Sequence, residues 1–214
     1  MGKQILIACG MQQDEIEKKK IECKSCIPVI YMKRGMHENP RALHEILQQE
    51  INRHQDCDEI LLTYGLCGLA TESLVSENTR LILPRFHDCI HQLMENKVDV
   101  NSLYLNRCWT LDEKSILKQC ENVWEEYGQE MGKEILECIY GSYERITVID
   151  TDSYDLTPVI QNAKKAAEML NLSVRTLPSK ALVIEKLLQG AWDEDFIILQ
   201  PGERVKKEMF TGLS

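Results

Sequence analysis

Short apolar runs bounded by Gly, Pro or polar residues punctuate the chain, and six of them predict β-strands: Gln4–Cys9, 28–32, 59–64, Arg80–Pro84, 146–150 and 195–200. A shorter run, 173–177, is a seventh candidate. The runs are continuously apolar rather than alternating, as expected of strands covered on both faces of a parallel sheet. Between them the apolar positions take helical spacing. Asn39 is placed to cap a helix with Pro40 at its first position and Leu43, Ile46, Leu47 and Ile51 on one face. After Asp112 the set Ile116, Leu117, Cys120, Val123, Trp124 and Tyr127 keeps helical period. Gly128 interrupts it, and Met131, Ile135, Cys138 and Ile139 resume it. Thr157-Pro158 opens a further helix, and Ser179 is a candidate cap for the last one, which ends at Gly190.

Strands alternating with helices predict an α/β fold, with a largely parallel sheet and helices on both faces. Nothing between these elements reads as a linker, so residues 1–214 are taken as a single domain. The alternative is two related βα lobes joined by the helical pair 112–140, suggested by the faint likeness of residues 80–84 to 174–178.

Composition narrows the function classes. No stretch approaches the ~20 apolar residues of a membrane-spanning helix, and the N-terminal run turns charged too soon for a secretory signal. A cytoplasmic protein with no membrane partner is expected. Asp and Glu outnumber Lys and Arg, 34 to 25, for a formal charge of −9. That balance argues against nucleic acid as a partner, because phosphate binding needs a concentrated basic surface. Nine cysteines are an odd number, and an intracellular chain is kept reduced, so they read as thiols rather than as a disulfide framework.

Three of those thiols share a position. Cys9 ends the first strand. Cys67 lies in Tyr64-Gly65-Leu66-Cys67-Gly68, just beyond the third, and Cys89 lies in Arg85-Phe86-His87-Asp88-Cys89, just beyond the fourth. Open α/β sheets bind ligands outside the carboxyl ends of their strands, so parallel neighbours would gather these thiols on one edge. Such a set suits zinc, which takes Cys and His ligands, or an iron–sulfur cluster, in which three cysteines leave one iron open. His87, two residues before Cys89, is the expected fourth ligand, with His37 in reserve and Asp88 a group that could orient a ligand. Glu144 and Arg145, before the strand 146–150, are further candidate polar groups. The Cys23-Lys24-Ser25-Cys26 pair precedes a strand, which is the wrong context for a thioredoxin-like motif. Cys57, Cys120 and Cys138 read as structural, and His44, His54 and His91 as surface residues. No phosphate loop, dinucleotide fingerprint, nucleophile elbow or HExxH motif is present.

Several segments together resemble the domain-of-unknown-function family 1638 of bacteria and methanogenic archaea. They are Ile7-Ala8-Cys9-Gly10, Met36-His37-Glu38-Asn39-Pro40, Tyr64 to Gly68, Pro84 to Ile90, Tyr143-Glu144-Arg145, Ile149-Asp150 and Pro201-Gly202-Glu203. The chain departs from the family pattern around Asn106-Arg107-Cys108-Trp109. Members of that family often accompany corrinoid-dependent methyltransferases. The resemblance therefore implies corrinoid-linked methyl or thiol metabolism in an anaerobe, with a corrinoid protein or methyltransferase as partner. His87-Asp88-Cys89 is also similar to the His-x-Cys part of the zinc site in methyltransferases that activate a thiol for methyl transfer. Two alternatives stand beside a metal-binding protein: a non-catalytic accessory that docks on a methyltransferase, and a metal-free enzyme with Cys67 as nucleophile.

Overall fold

The computed structural model describes residues 2–111 and 114–210; the helical start expected at Asp112 lies outside them. The chain forms two compact units. The first comprises residues 1–97 and 181–214, and the second residues 98–180.

The first unit contains strands β1 (Gln4–Cys9), β2 (Val29–Met32), β3 (Glu59–Leu62) and β4 (Arg80–Pro84), with helices α1 (Gln13–Glu22), α2 (Pro40–Arg53) and α3 (Cys89–Leu93). Their sheet has the order β2-β1-β3-β4 and is parallel throughout. One antiparallel edge strand completes it, formed by residues 196–199 late in the chain. Alternate residues of the strands cover the two faces. Ile5, Ile7, Ile60, Leu62, Leu81 and Leu83 pack with Leu43, Leu47 and Ile51 of α2, while Leu6, Ala8, Leu61 and Ile82 are buried on the other side. The continuous apolar runs follow from this two-sided burial. Asn39 caps α2 as expected, its side chain accepting from the Ala42 amide at 3.1 Å.

α1 is not legible from apolar spacing, because Ile16 is its only buried apolar residue. Its Gln, Glu and Lys residues are good helix formers all the same.

The second unit contains β5 (Ser102–Leu105), α4 (Arg107–Leu111), α5 (Ile116–Tyr140), β6 (Arg145–Asp150), α6 (Leu156–Leu170) and β7 (Ser173–Pro178). Its sheet, β5-β6-β7, is also parallel. Val159, Ala163, Ala166 and Ala167 of α6 pack on Leu105, Ile146 and Val148. Gly128 breaks α5 with a non-helical φ of 74°, as its sequence position predicts. The resulting helical pair belongs to the second unit, where Cys120 and Leu136 pack with Leu170.

The sequence reading missed β5, a four-residue strand with only two leucines. The last elements are α7 (Leu182–Gln189) and β8 (Phe196–Leu199), both in the first unit. Ser179 does not cap α7. The cap is Ala181, in a left-handed conformation and without a side-chain bond, while the Ser179 amide donates to the Asp150 carbonyl. Among the described residues no helix is long and apolar enough to cross a membrane.

Candidate metal centre

Because β1, β3 and β4 are adjacent and parallel, their carboxyl ends lie side by side. Cys9 is the last residue of β1, Cys67 sits in the loop after β3, and Cys89 opens α3 after β4. The thiols interact electrostatically. Burial pushes the Cys9 thiol up to about 11. It raises Cys67 and Cys89 further, with Cys9 and Asp88 adding repulsion at both and Cys67 at Cys89. As whole residues all three are half-buried, and their thiols are crowded by protein atoms.

Two residues to which the sequence reading assigned no role join them. Buried Glu15, in the first turn of α1, repels charge on Cys9 and Cys89. The hydroxyl of buried Tyr64 also acts on Cys9 and lowers the thiol's pKa against the effect of burial. The Met11 amide acts likewise on Cys9, and the Gly65 amide on Cys67. Hydrogen bonds to sulfur of this kind favour the thiolate form. Glu15 was hidden by its setting in a charged helix. Tyr64 sits inside the quoted Tyr-Gly-Leu-Cys-Gly segment, where a buried hydroxyl beside a strand end was the available signal.

The loop carrying Cys67 is clamped to the one carrying Cys89. The Leu66 amide donates to the Phe86 carbonyl at 2.9 Å, and the Cys67 amide to the His87 carbonyl at 2.8 Å. Gly65 permits this approach, since a Cβ there would lie 2.2 Å from the Phe86 oxygen. Cys67 itself has a φ of +46°, a conformation costing a non-glycine residue roughly 1 kcal/mol or more. Beneath the thiols runs a buried amide chain. Gln12 donates to Gln92 at 3.1 Å, Gln92 to the Thr63 carbonyl at 2.9 Å, and the Cys9 amide to the Thr63 hydroxyl at 2.8 Å.

The expected accessory residues are placed differently. His87 is exposed, and its ring meets that of His91 edge-on, with centroids 5.3 Å apart. Asp88 caps α3, accepting from the Ile90 and His91 amides and from the His91 ring, each at 2.9 Å. Burial opposes its charge, but these bonds more than offset that and hold its pKa below the usual value. His37 lies in a short 3₁₀ turn after β2, beyond the carboxyl end of the strand next to β1. Glu144 and Arg145 belong to the second unit, at the amino end of β6, where Arg145 pairs with Glu144 and Asp99.

Among the described residues, the three-residue group whose possible metal-binding atoms all lie within 4.8 Å of one another is a different one: His54, Asp56 and Cys57. His54 was read as a surface residue and Cys57 as structural. Cys138, also read as structural, is exposed. His44 and His91 are half-buried and bonded, to the Ala70 carbonyl and to Asp88. Cys108 is buried in α4. Cys26 is exposed, and Cys23 accepts from the Gln189 side chain at 3.4 Å.

The model of the family described as "Protein of unknown function (DUF1638)" matches residues 31–188. The chain belongs to this family. The matched span contains Cys67, His87 and Cys89, while Cys9 and the Pro201-Gly202-Glu203 turn lie outside it. Comparison with curated proteins and with solved structures gave no match.

Proposed function

We propose that this DUF1638 protein holds a thiophilic metal centre on Cys9, Cys67 and Cys89 and serves corrinoid-linked methyl or thiol metabolism in the cytoplasm. The observation that carries the reading is the convergence of three electrostatically coupled thiols at the carboxyl ends of three adjacent parallel strands. Without a cation, a second thiolate in this setting is strongly disfavoured; bound metal reverses that balance and holds thiols deprotonated. The donors from Tyr64, Met11 and Gly65 fit the same role, since hydrogen bonds to ligating sulfurs orient the ligands and tune the metal.

Spacing favours a cluster over a single ion. Tetrahedral zinc at ~2.3 Å from each sulfur needs sulfurs about 3.8 Å apart, and the three thiols do not form a group within 4.8 Å. An iron–sulfur cluster places several irons between its ligands, and with three cysteines it would offer one iron to an exogenous group. The protein's own residues would bind and orient that centre. Glu15 is the buried carboxylate whose charge acts on Cys9 and Cys89, whereas His87 would have to turn away from His91 to contribute. The corrinoid part of the proposal rests on what the family resemblance implies and on no residue of the site.

The metal-free nucleophile reading is weakened by the same electrostatics. An activated cysteine needs a lowered pKa, and Cys67 is pushed the other way by burial and by Cys9 and Asp88. The accessory reading has one observation in its favour: Tyr127, Met131 and Ile139 stand exposed on α5.

Elemental analysis and absorption spectroscopy on protein purified without oxygen or affinity tag test the proposal. Iron with thiolate charge-transfer absorption is expected, and Cys9→Ser, Cys67→Ser and Cys89→Ser should each lower occupancy. Full occupancy in all three variants, or metal-free protein with every thiol titratable, would overturn it.

A further inference from the structure

The turn between α2 and β3 lies at the amino ends of the parallel strands, the opposite edge of the sheet from Cys9. It brings together three different donors within one short stretch. The Cys57 amide donates to the His54 carbonyl at 3.1 Å, closing a β-turn over residues 54–57. Nδ1 or Nε2 of His54, a carboxylate oxygen of Asp56 and Sγ of Cys57 all lie within 4.8 Å of one another. A tetrahedral ion ~2.0–2.3 Å from each ligand requires donors about 3.3–3.8 Å apart, a spacing this limit includes.

The turn is held from several sides. Gln55 donates to the Ile51 carbonyl at 2.7 Å and accepts from the Asn78 amide at 2.9 Å. The Thr79 hydroxyl donates to the Cys57 carbonyl at 3.0 Å, and the Asp58 amide to the Lys3 carbonyl at 2.8 Å. These bonds hold the backbone of the turn, so the three side chains project from a fixed segment.

A cation already occupies part of the arrangement. The Lys3 ammonium pairs with Asp56, and its charge also acts on Cys57. Glu50 lies on the other side of His54, with Oε2 3.8 Å from Nε2, but it pairs with Arg53 and falls outside the three-residue group. The mixture of imidazole, thiol and carboxylate suits zinc and its neighbours rather than calcium or magnesium, which prefer oxygen alone.

We propose that His54, Asp56 and Cys57 form a second metal site, for a zinc-class divalent cation, with solvent in the remaining position and Lys3 as the cation displaced on binding. Cys57 is buried while Asp56 is exposed, so the ion enters from solvent and closes over a sheltered sulfur.

The test is a Co(II) titration of the full chain, followed by thiolate-to-cobalt absorption, in a Cys9→Ser background that removes one thiol of the other centre. One equivalent of cobalt with a thiolate band is expected. His54→Ala and Asp56→Asn, at side chains that reach solvent, should each weaken binding at least tenfold, and Lys3→Met should tighten it severalfold by removing the competing cation. Unchanged affinity in His54→Ala and Asp56→Asn, or no thiolate band, would overturn the site. A merely structural role for the turn predicts no tightening on Lys3→Met. Failure of the three-thiol centre would appear instead in the Cys67 and Cys89 variants.

Discussion

Replacing Gly65 by Ala tests whether the backbone clamp between the two thiol-bearing loops holds the candidate centre together. A Cβ at this position would lie 2.2 Å from the Phe86 carbonyl oxygen and 2.9 Å from its carbon. An ordinary carbon–oxygen contact is ~3.3 Å or longer, so the loops must separate by about 1 Å. That displacement strains or breaks the bonds from Leu66 to Phe86 and from Cys67 to His87, each contributing ~1 kcal/mol. Overpacking adds roughly 1–3 kcal/mol, for a total of roughly 3–5 kcal/mol. Gly35→Ala is the control. Gly35 has a positive φ, +75°, which Gly65 does not, and its Cβ would meet nothing within 4 Å, so only the conformational cost of ~1–2 kcal/mol applies. Urea unfolding followed by circular dichroism measures the difference, and peptide-resolved alkylation reports on the site. The Gly65 variant should unfold at clearly lower urea than the control and alkylate faster at Cys67 and Cys89. Equal losses in the two variants, with unchanged alkylation, would refute the clamp.

Three further outcomes follow from the same structure. In metal-free protein the Cys9 pKa is raised by burial, so the stability tied to its protonated form is fully present below the unfolded thiol value and is lost as pH rises toward about 11. The unfolding free energy from urea titration should therefore fall over that window, by up to about 1.4 kcal/mol per pH unit for each such thiol; Cys9→Ser should flatten the fall, and an identical profile in that variant counts against it. Tyr64→Phe removes the hydroxyl that lowers the Cys9 pKa, so the pH at which Cys9 alkylates half-maximally should move upward, and an unmoved profile would show that the bond is unimportant. Asn39→Ala deletes the cap on the Ala42 amide and should cost ~1 kcal/mol in urea unfolding; a loss below a few tenths would mean that Pro40 and the packing of α2 suffice.

Much of this molecule was legible in its amino-acid pattern. Every apolar run of the first unit became a strand, and Asn39-Pro40 opened α2 as capping chemistry requires. The elements that escaped were those whose order comes from elsewhere. α1 buries one isoleucine, and β5 is four residues long, so neither carries enough periodic signal to be read alone. Cys138 shows the opposite failure: its helical spacing matched the core positions, yet it lies on the exposed side of a helix broken at Gly128.

The sequence by itself determined that Cys9, Cys67 and Cys89 stand at or just beyond strand ends, because chain position relative to an apolar run is a local property. Their meeting is a tertiary result. It required β1, β3 and β4 to be neighbours and parallel, a choice made by burying both sheet faces beneath helices and not by any residue near the thiols. Spacing also decided against the obvious neighbour in sequence. His87 is two residues from Cys89 yet turns to His91, while Glu15, far from Cys89 in the chain, and Tyr64, far from Cys9, act on those sulfurs. The group His54, Asp56 and Cys57 divides in the same way. The turn that joins those residues is local, but its rigidity comes from Gln55 and Thr79 bonding across to other segments. Strand ends and turns follow from short-range propensity, whereas which side chains share a site follows from the packing that brings distant backbone segments into contact.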